Sequence, residues 1–174
     1  RTKLFIQLLI FISMKDCTGM VCVDTSASMV GKPEKIAKSM VFALIKIVSK
    51  EKRPIYIINF SSGKHFESLE IDGRKTDVQK IITFFEKSFY GGTDIGGALN
   101  YAIEHMKDKF ENADVLLVSD FEDYMSVKDE QNINIAKENG TYFYALNVNQ
   151  NNRENSKILS LMDLVAKKRD FVVS

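Results

Sequence analysis

Residues 20–29 read Met20-Val21-Cys22-Val23-Asp24-Thr25-Ser26-Ala27-Ser28-Met29. The first four are apolar without a break, and the fifth is a carboxylate. A short, unalternating apolar run predicts a strand buried on both faces, as in a parallel sheet. Cys22 fits inside it as a small hydrophobe. The polar residues that follow place oxygens just past the strand's carboxyl end, where open α/β sheets hold their ligands.

Working outward, Gly31, Lys32 and Pro33 open a helix, with Pro33 suited to a first helical position. Ile36, Met40, Leu44, Ile47 and Val48 give it an apolar face, and Lys35, Lys38 and Lys46 a solvated one. Pro54 restarts the chain before a second strand, Ile55 to Phe60, and Ser61-Ser62-Gly63 turns it. His65 to Ile71 alternates, with Phe66, Leu69 and Ile71 apolar, and reads as an edge strand. Thr76 is expected to cap a helix carrying Val78, Ile81, Ile82, Phe84 and Phe85. Ile95, Leu99, Ala102, Ile103 and Met106 mark the next helix. Val115 to Val118 is a second pure apolar run, ending in Ser119-Asp120. A helix over Val127 to Glu138 stops at Gly140, and Tyr142 to Leu146 is another strand. A final helix is expected over Ile158 to Ala166, and a short last strand over Phe171 to Val173. Strands alternating with helices define an α/β fold: a Rossmann-like, doubly wound, mostly parallel sheet with helices on both faces.

Toward the N-terminus, residues 4–12 (LFIQLLIFI) are very apolar but too short to cross a bilayer as a helix. Arg1 and Lys3 ahead of them imitate a signal peptide, yet no small-residue cleavage site follows cleanly. Residues 1–19 are therefore expected to be a packed extension, and residues 20–174 the domain proper.

A chain of 174 residues fits one domain, and 45% hydrophobic with 27% charged residues describes a soluble globular one. A net charge of +1 lacks the basic excess of a nucleic-acid surface. The two cysteines, Cys17 and Cys22, form neither a disulfide framework nor a zinc site, which points to the cytoplasm.

Three loops carry the chemistry: Asp24 to Ser28, Gly91-Gly92-Thr93-Asp94, and Ser119-Asp120. In a doubly wound sheet they emerge at one edge. Together they offer only oxygen, which suits a hard cation, Mg²⁺ or Mn²⁺, over zinc or copper. The hydroxyls of Ser26, Ser28 and Thr93 can ligate directly while Asp24 and Asp120 hold waters. Direct ligation by hydroxyls leaves positive charge uncompensated, so the site should seek a carboxylate from a protein partner. No catalytic base or nucleophile stands beside it.

Competing readings are specific. Ser26 or Ser28 alone could be a helix cap, and Asp94 is expected to be one, at the N-terminus of the third helix. Asp120 at a strand end needs a partner, which a metal supplies. Glu122 and Asp123 are expected to face solvent, and His65 and His105 to lie away from the site. Gly91, Gly92, Gly96 and Gly97 match no phosphate-binding pattern. An alternative is a Mg²⁺-dependent phosphohydrolase with Asp24 as nucleophile. That chemistry wants a positioned acid and a phosphate clamp, and position 26 is Ser rather than a second acid. A phospho-receiver domain would carry its acceptor on the third strand, not the first. Phe89 and Tyr90, if exposed beside Thr93, would form an apolar rim for a partner.

Asp24-Thr25-Ser26-Ala27-Ser28 resembles the DxSxS motif of von Willebrand factor A (VWA) domains, Gly92-Thr93-Asp94 their second loop, and Val118-Ser119-Asp120 their third. The resemblance covers residues 20 to the end. It implies the VWA fold and a metal-ion-dependent adhesion site (MIDAS) built from Asp24, Ser26, Ser28, Thr93 and Asp120. VCVDTSASM, IYIINFSS, FYGGTDIGGAL and VLLVSDFED are further similar to the C-terminal VWA domain of bacterial ViaA-type proteins. That similarity implies an adaptor or co-chaperone of a MoxR-family AAA+ ATPase. Two positions depart from the wider family: Ala27, where many relatives have Gly, and Phe121, where extracellular relatives often have Gly.

Overall fold

The computed structural model describes residues 19–63, 65–106, 113–149 and 151–167. The chain runs β1 (Gly19–Asp24), a 3₁₀ turn (Ala27–Met29), α1 (Lys32–Lys50), β2 (Ile55–Phe60), β3 (Phe66–Ile71) and α2 (Val78–Glu86). It continues through α3 (Ile95–His105), β4 (Asp114–Ser119), α4 (Val127–Glu138), β5 (Phe143–Asn147), α5 (Ser156–Leu161) and β6 (Leu164–Lys167). The strands form one sheet in the order β3-β2-β1-β4-β5-β6. Only β3 is antiparallel; β2, β1, β4, β5 and β6 run parallel. From β1 the chain first winds outward through β2, then returns to the other side through β4. The reversal between β1 and β4 is the point where a doubly wound sheet opens a crevice at its carboxyl edge.

Both apolar runs singled out in the sequence lie at the centre of the sheet, buried along their whole length apart from a half-buried Gly19. Alternate residues serve opposite faces. Val21, Val23, Ile57, Leu116, Val118 and Leu146 cluster with the apolar sides of α1 and α2. Met20, Cys22, Ile58, Val115, Leu117 and Ala145 cluster with α3, α4 and α5. Each fully buried aliphatic side chain contributes roughly 1.5–3 kcal/mol, so these two layers hold the loops rigidly at the edge. Cys22 is a buried free thiol, and burial pushes it up to about 12.

Several expectations are corrected. The face of α1 is turned from the one read by spacing: Ala37, Val41, Leu44, Ile45 and Val48 are buried, while Ile36, Met40 and Ile47 only pack half-buried against them. Lys38 is not a free solvated lysine, since it pairs with Glu34 at 2.6 Å and donates to Ser88 Oγ at 2.9 Å. Asp77, not Thr76, caps α2, accepting from Lys80 N at 3.0 Å. The helix expected over 158–166 stops at Leu161, and residues 164–167 form edge strand β6 beside β5. Asp163 makes the break: its N donates to Phe143 O at 2.7 Å and its Oδ2 accepts from Phe143 N at 2.8 Å. The backbone is thereby held at the sheet and cannot continue a helix. Residues 1–18, with Cys17 and the apolar 4–12 segment, lie outside the described residues, as does the strand expected at 171–173.

Candidate metal-binding edge of the sheet

The pairing of β1 with β4 sets Val23 beside Val118, so Asp24 and Ser119 close the two strands next to each other. Asp24 is fully buried. Its Oδ2 accepts from Ser119 Oγ at 2.5 Å and its Oδ1 from Ser26 N at 2.9 Å. Burial raises this carboxyl to about 6, the bonds from Ser119 and Ser26 oppose the rise, and the negative charge of Asp120 adds to it. Ser119 Oγ in turn accepts from Phe121 N at 3.0 Å, so one hydroxyl orients the first carboxylate and the loop that carries the second.

Ser26 Oγ lies 3.1 Å from Ser28 Oγ. The 3₁₀ turn at Ala27–Met29 brings the two hydroxyls onto one side. Ala27 is absent from the left-handed residues, so a methyl group is tolerated where relatives carry Gly. Phe121 is left-handed, with φ of 60°, which explains why glycine suits that position in other chains. Here the strain is offset by the ring, which is fully buried against the α3 side of the sheet.

Thr93 joins the group through its loop. Tyr90 N donates to Thr25 O at 2.9 Å, Ala27 N to Gly91 O at 2.8 Å, and Asp94 N to Ser61 O at 2.9 Å. Ser61 Oγ donates to Gly92 O at 2.7 Å. The second loop is thus stitched to the ends of both β1 and β2. Asp94 is the cap expected of it, accepting from Gly97 N at 2.8 Å. Gly96 makes room rather than cradling phosphate: a Cβ there would meet Asp129 Oδ2 at 2.5 Å.

Asp120 is 3% exposed and accepts from Glu122 N at 3.2 Å, while its backbone carbonyl accepts from Asn149 Nδ2 at 2.9 Å. With Ser28 it lines a cleft of about 290 Å³ that also includes Val30, Lys32, Pro33, Glu122 and Asn151. Asp24, Ser26 and Ser28 are therefore linked by direct hydrogen bonds, Asp120 meets Ser28 across a shared cleft, and Thr93 is tied in by backbone. Among the described residues no three His, Cys, Asp or Glu side chains cluster as metal ligands. What converges is hydroxyl oxygen over two buried carboxylates.

Sequence reasoning placed Ser119 and Thr25 in the loops without a role of their own, put Asp123 in solvent and did not mention Asn149. Thr25 Oγ1 donates to Phe60 O at 3.0 Å, pinning the loop to β2. Asp123, expected in solvent, is half-buried and accepts from Ile95 N at 2.7 Å, joining the third loop to the start of α3. Burial raises its carboxyl as well, against the bonds from Ile95 and Tyr124, and the charges of Asp94 and Asp120 add to the rise. Glu122 is also drawn in, accepting from Asn149 Nδ2 at 3.2 Å. Only Ser119 had a legible signal, as the hydroxyl preceding a strand-end aspartate. His65 and His105 are both exposed, but only His105 lies apart; His65, expected away from the site, accepts from Ser61 N at 3.1 Å through its carbonyl, beside the second loop. Of the two rim candidates, Tyr90 is 55% exposed, whereas Phe89 is half-buried with its ring stacked on His65.

A mostly parallel open sheet whose three strand-end loops meet at one edge defines a class of α/β domains. Residues 20–122 match the model of the von Willebrand factor type A domain, and the chain belongs to that family. Two curated relatives carry the name Regulatory protein ViaA. The one from Photorhabdus laumondii is 38% identical over 104 residues, covering 59% of this chain and 21% of the relative. The one from Proteus mirabilis is 33% identical over 104 residues, with the same coverage of 59% and 21%. The matched stretch thus spans about a fifth of these relatives' length. Among solved structures, the conserved hypothetical protein BatB from Bacteroides thetaiotaomicron superposes with a TM-score of 0.63 at 15% identity, covering 87% of this chain and 89% of that one. At that identity the likeness shows the fold alone.

Proposed function

We propose that the domain is a divalent-metal-dependent protein-interaction module, a MIDAS, that grips an acidic residue of a partner protein. The observation that carries this is the Ser26–Ser28 hydroxyl pair, 3.1 Å apart, beside the buried carboxylates of Asp24 and Asp120. An octahedral Mg²⁺ with bonds near 2.05 Å places adjacent ligands about 2.9 Å apart, close to that spacing. Ser26, Ser28 and Thr93 would hold Mg²⁺ or Mn²⁺ directly, with Asp24 and Asp120 acting through waters. The ion supplies a Lewis-acidic positive charge that hydroxyl ligands leave uncompensated. Ser119 and the Ser26 amide orient Asp24 toward it, and Asn149 steadies the Asp120 loop.

The same geometry disfavours a phosphohydrolase. Both oxygens of Asp24 are already engaged by Ser119 and Ser26, which ill suits a nucleophile. The regulatory name of the relatives supports a non-enzymatic role beside another protein, and the ViaA-type likeness makes a MoxR-family AAA+ ATPase the partner to try first. No described helix is long and apolar enough to cross a membrane, and the cytoplasm is the compartment we propose.

The test is melting of chelator-stripped protein with added Mg²⁺ or Mn²⁺, for wild type and Asp24→Ala. A ligand that binds only the folded state at a hundred times its Kd stabilises by about 2.7 kcal/mol. A metal-dependent rise in wild type alone is expected. An equal rise in the variant, or acidic-partner binding that survives Asp24→Ala, overturns the metal grip.

A further inference from the structure

Of the five candidate ligands, Thr93 alone follows neither β1 nor β4. It is carried by the stretch between α2 and α3, so its place depends on what holds that stretch. Close to Thr93 the hold comes from the first loop: Phe89 N donates to Thr25 Oγ1 at 3.4 Å and Tyr90 N to Thr25 O at 2.9 Å. Further back, where α2 stops at Glu86, it comes from another helix.

Lys38 Nζ on α1 lies 2.6 Å from Glu34 Oε1, donates to Ser88 Oγ at 2.9 Å and reaches Lys87 O at 3.4 Å. An ammonium has three donors, and these partners engage all three. Ser88 Oγ in turn donates to Glu34 Oε1 and closes the set. Lys87 O is a carbonyl of the kind a helix end leaves unmatched, and Lys38 also brings a cation to the carboxyl end of α2. An exposed pair spaced i, i+4 on one helix contributes little. Here Lys38 and Glu34 are only 19% and 13% exposed, and Lys38 bonds across to a residue 50 positions further along the chain. Buried Asn59 adds a weaker tie from β2, donating to Phe84 O at 3.3 Å.

Glu34 stands in the first turn of α1, shortly after the loop that bears Ser26 and Ser28. Ser88 and Thr93 share one stretch with no helix or strand between them. We infer that Glu34, Lys38 and Ser88 are positioning residues for the metal site: they clasp the second loop to α1 and so set Thr93 against Ser26 and Ser28. This deepens the metal-dependent reading above and rests on it. Their effect on the ion runs through Thr93. Without the clasp the entry to the second loop is freed, while Thr25, Ala27 and Ser61 still bond the loop itself. Metal affinity should therefore suffer more than stability, because ligands held loosely bind poorly even when the fold persists.

The experiment titrates Mn²⁺ by calorimetry into the whole chain after chelator treatment, and follows amide hydrogen exchange of the metal-free protein. Ser88→Ala should weaken Mn²⁺ binding about tenfold and speed exchange at the Tyr90 and Asp94 amides, while its denaturant midpoint in chelator hardly moves. Ser88→Thr, which keeps the hydroxyl, should bind as wild type does. Lys38→Met should weaken binding as Ser88→Ala does, and the double variant no further, since each change breaks the same unit. Removing a positive charge would by itself favour a cation, so weaker binding by Lys38→Met reports lost geometry. Variants that bind Mn²⁺ like wild type but unfold earlier make the clasp a staple of the fold and overturn the inference. So do additive losses in the double variant, or unchanged exchange at Tyr90 and Asp94. The two readings separate in the wild type: no Mn²⁺ uptake there removes the metal site and the inference with it, whereas uptake that all variants match removes the clasp alone.

Discussion

The two ends of the sheet treat buried polar groups differently. Of ten buried polar side chains among the described residues, eight lie at the carboxyl ends of β1, β2, β4 and β5: Asp24, Thr25, Ser26, Asn59, Ser61, Ser119, Asp120 and Asn147. Asp114 and Thr141 lie at the amino end. Asp114 there accepts from Tyr142 N at 3.2 Å, a local task of joining β4 to β5. At the carboxyl end two carboxylates are buried close enough for one to raise the other's affinity for protons. Burying like charges is costly unless something offsets them, and folding alone asks for no such arrangement. The difference gives the amino end a structural task and supports the ligand-holding role proposed for the carboxyl end.

Titration is the strongest way to break that contrast. Asp24 is raised above its ordinary value, mainly by burial, to about 6. A carboxyl raised on folding contributes stability that is present below its unfolded value, near 4, and is lost as pH climbs through 6. In chelator, wild-type stability should therefore fall across about pH 4 to 6, by on the order of 3 kcal/mol. Asp24→Asn should remove most of that fall, and Mg²⁺ should restore wild type above pH 6. The check is urea denaturation at stepped pH. A flat wild-type profile in chelator would remove the electrostatic argument for a cation at this end.

Phe121→Gly probes the same edge from the backbone side. Truncating a buried Phe costs about 3–5 kcal/mol, and relief of the left-handed strain, less glycine's unfolded-chain entropy, returns about 0.5. A net loss of about 3 kcal/mol is expected from denaturant midpoints. A neutral or stabilising result would mean the ring adds little where it lies, and the departure from glycine would lose its explanation.

The parallel sheet and the identity of the three loops were legible because buried strands and strand-end polar residues follow directly from sequence order. The α1 face was misread because Ile36, Met40 and Ile47 keep the same spacing as the buried set and differ from it only by rotation. The last helix was misread because Leu164-Val165-Ala166 continues an apolar pattern that either structure satisfies; the deciding contact, Asp163 with Phe143, spans twenty residues. The same limit hid Asp123 and Asn149. Nothing in SDFED tells which acid turns inward until α3 offers Ile95 N. That the Ser26 and Ser28 hydroxyls adjoin was readable because the motif is local.

The smallest effect separates two strained residues that the comparison places at opposite ends. Lys52, exposed with φ 58°, ends α1 and leads into the amino end of β2; Tyr90, with φ 54°, stands at the carboxyl edge. Glycine relieves about 1–2 kcal/mol of left-handed strain but returns roughly half of it as unfolded-chain entropy. Lys52→Gly and Tyr90→Gly should each stabilise by about 0.5 kcal/mol. They should differ in function: Lys52→Gly leaves Mg²⁺-dependent binding of a Glu-containing peptide intact, and Tyr90→Gly weakens it, because Tyr90 N and Gly91 O tie the second loop to the first. If both variants gain stability and neither changes that binding, strain at the carboxyl edge serves only the turn. If Tyr90→Gly alone weakens it, a backbone held in a disfavoured region is the means by which this edge keeps its second loop in place.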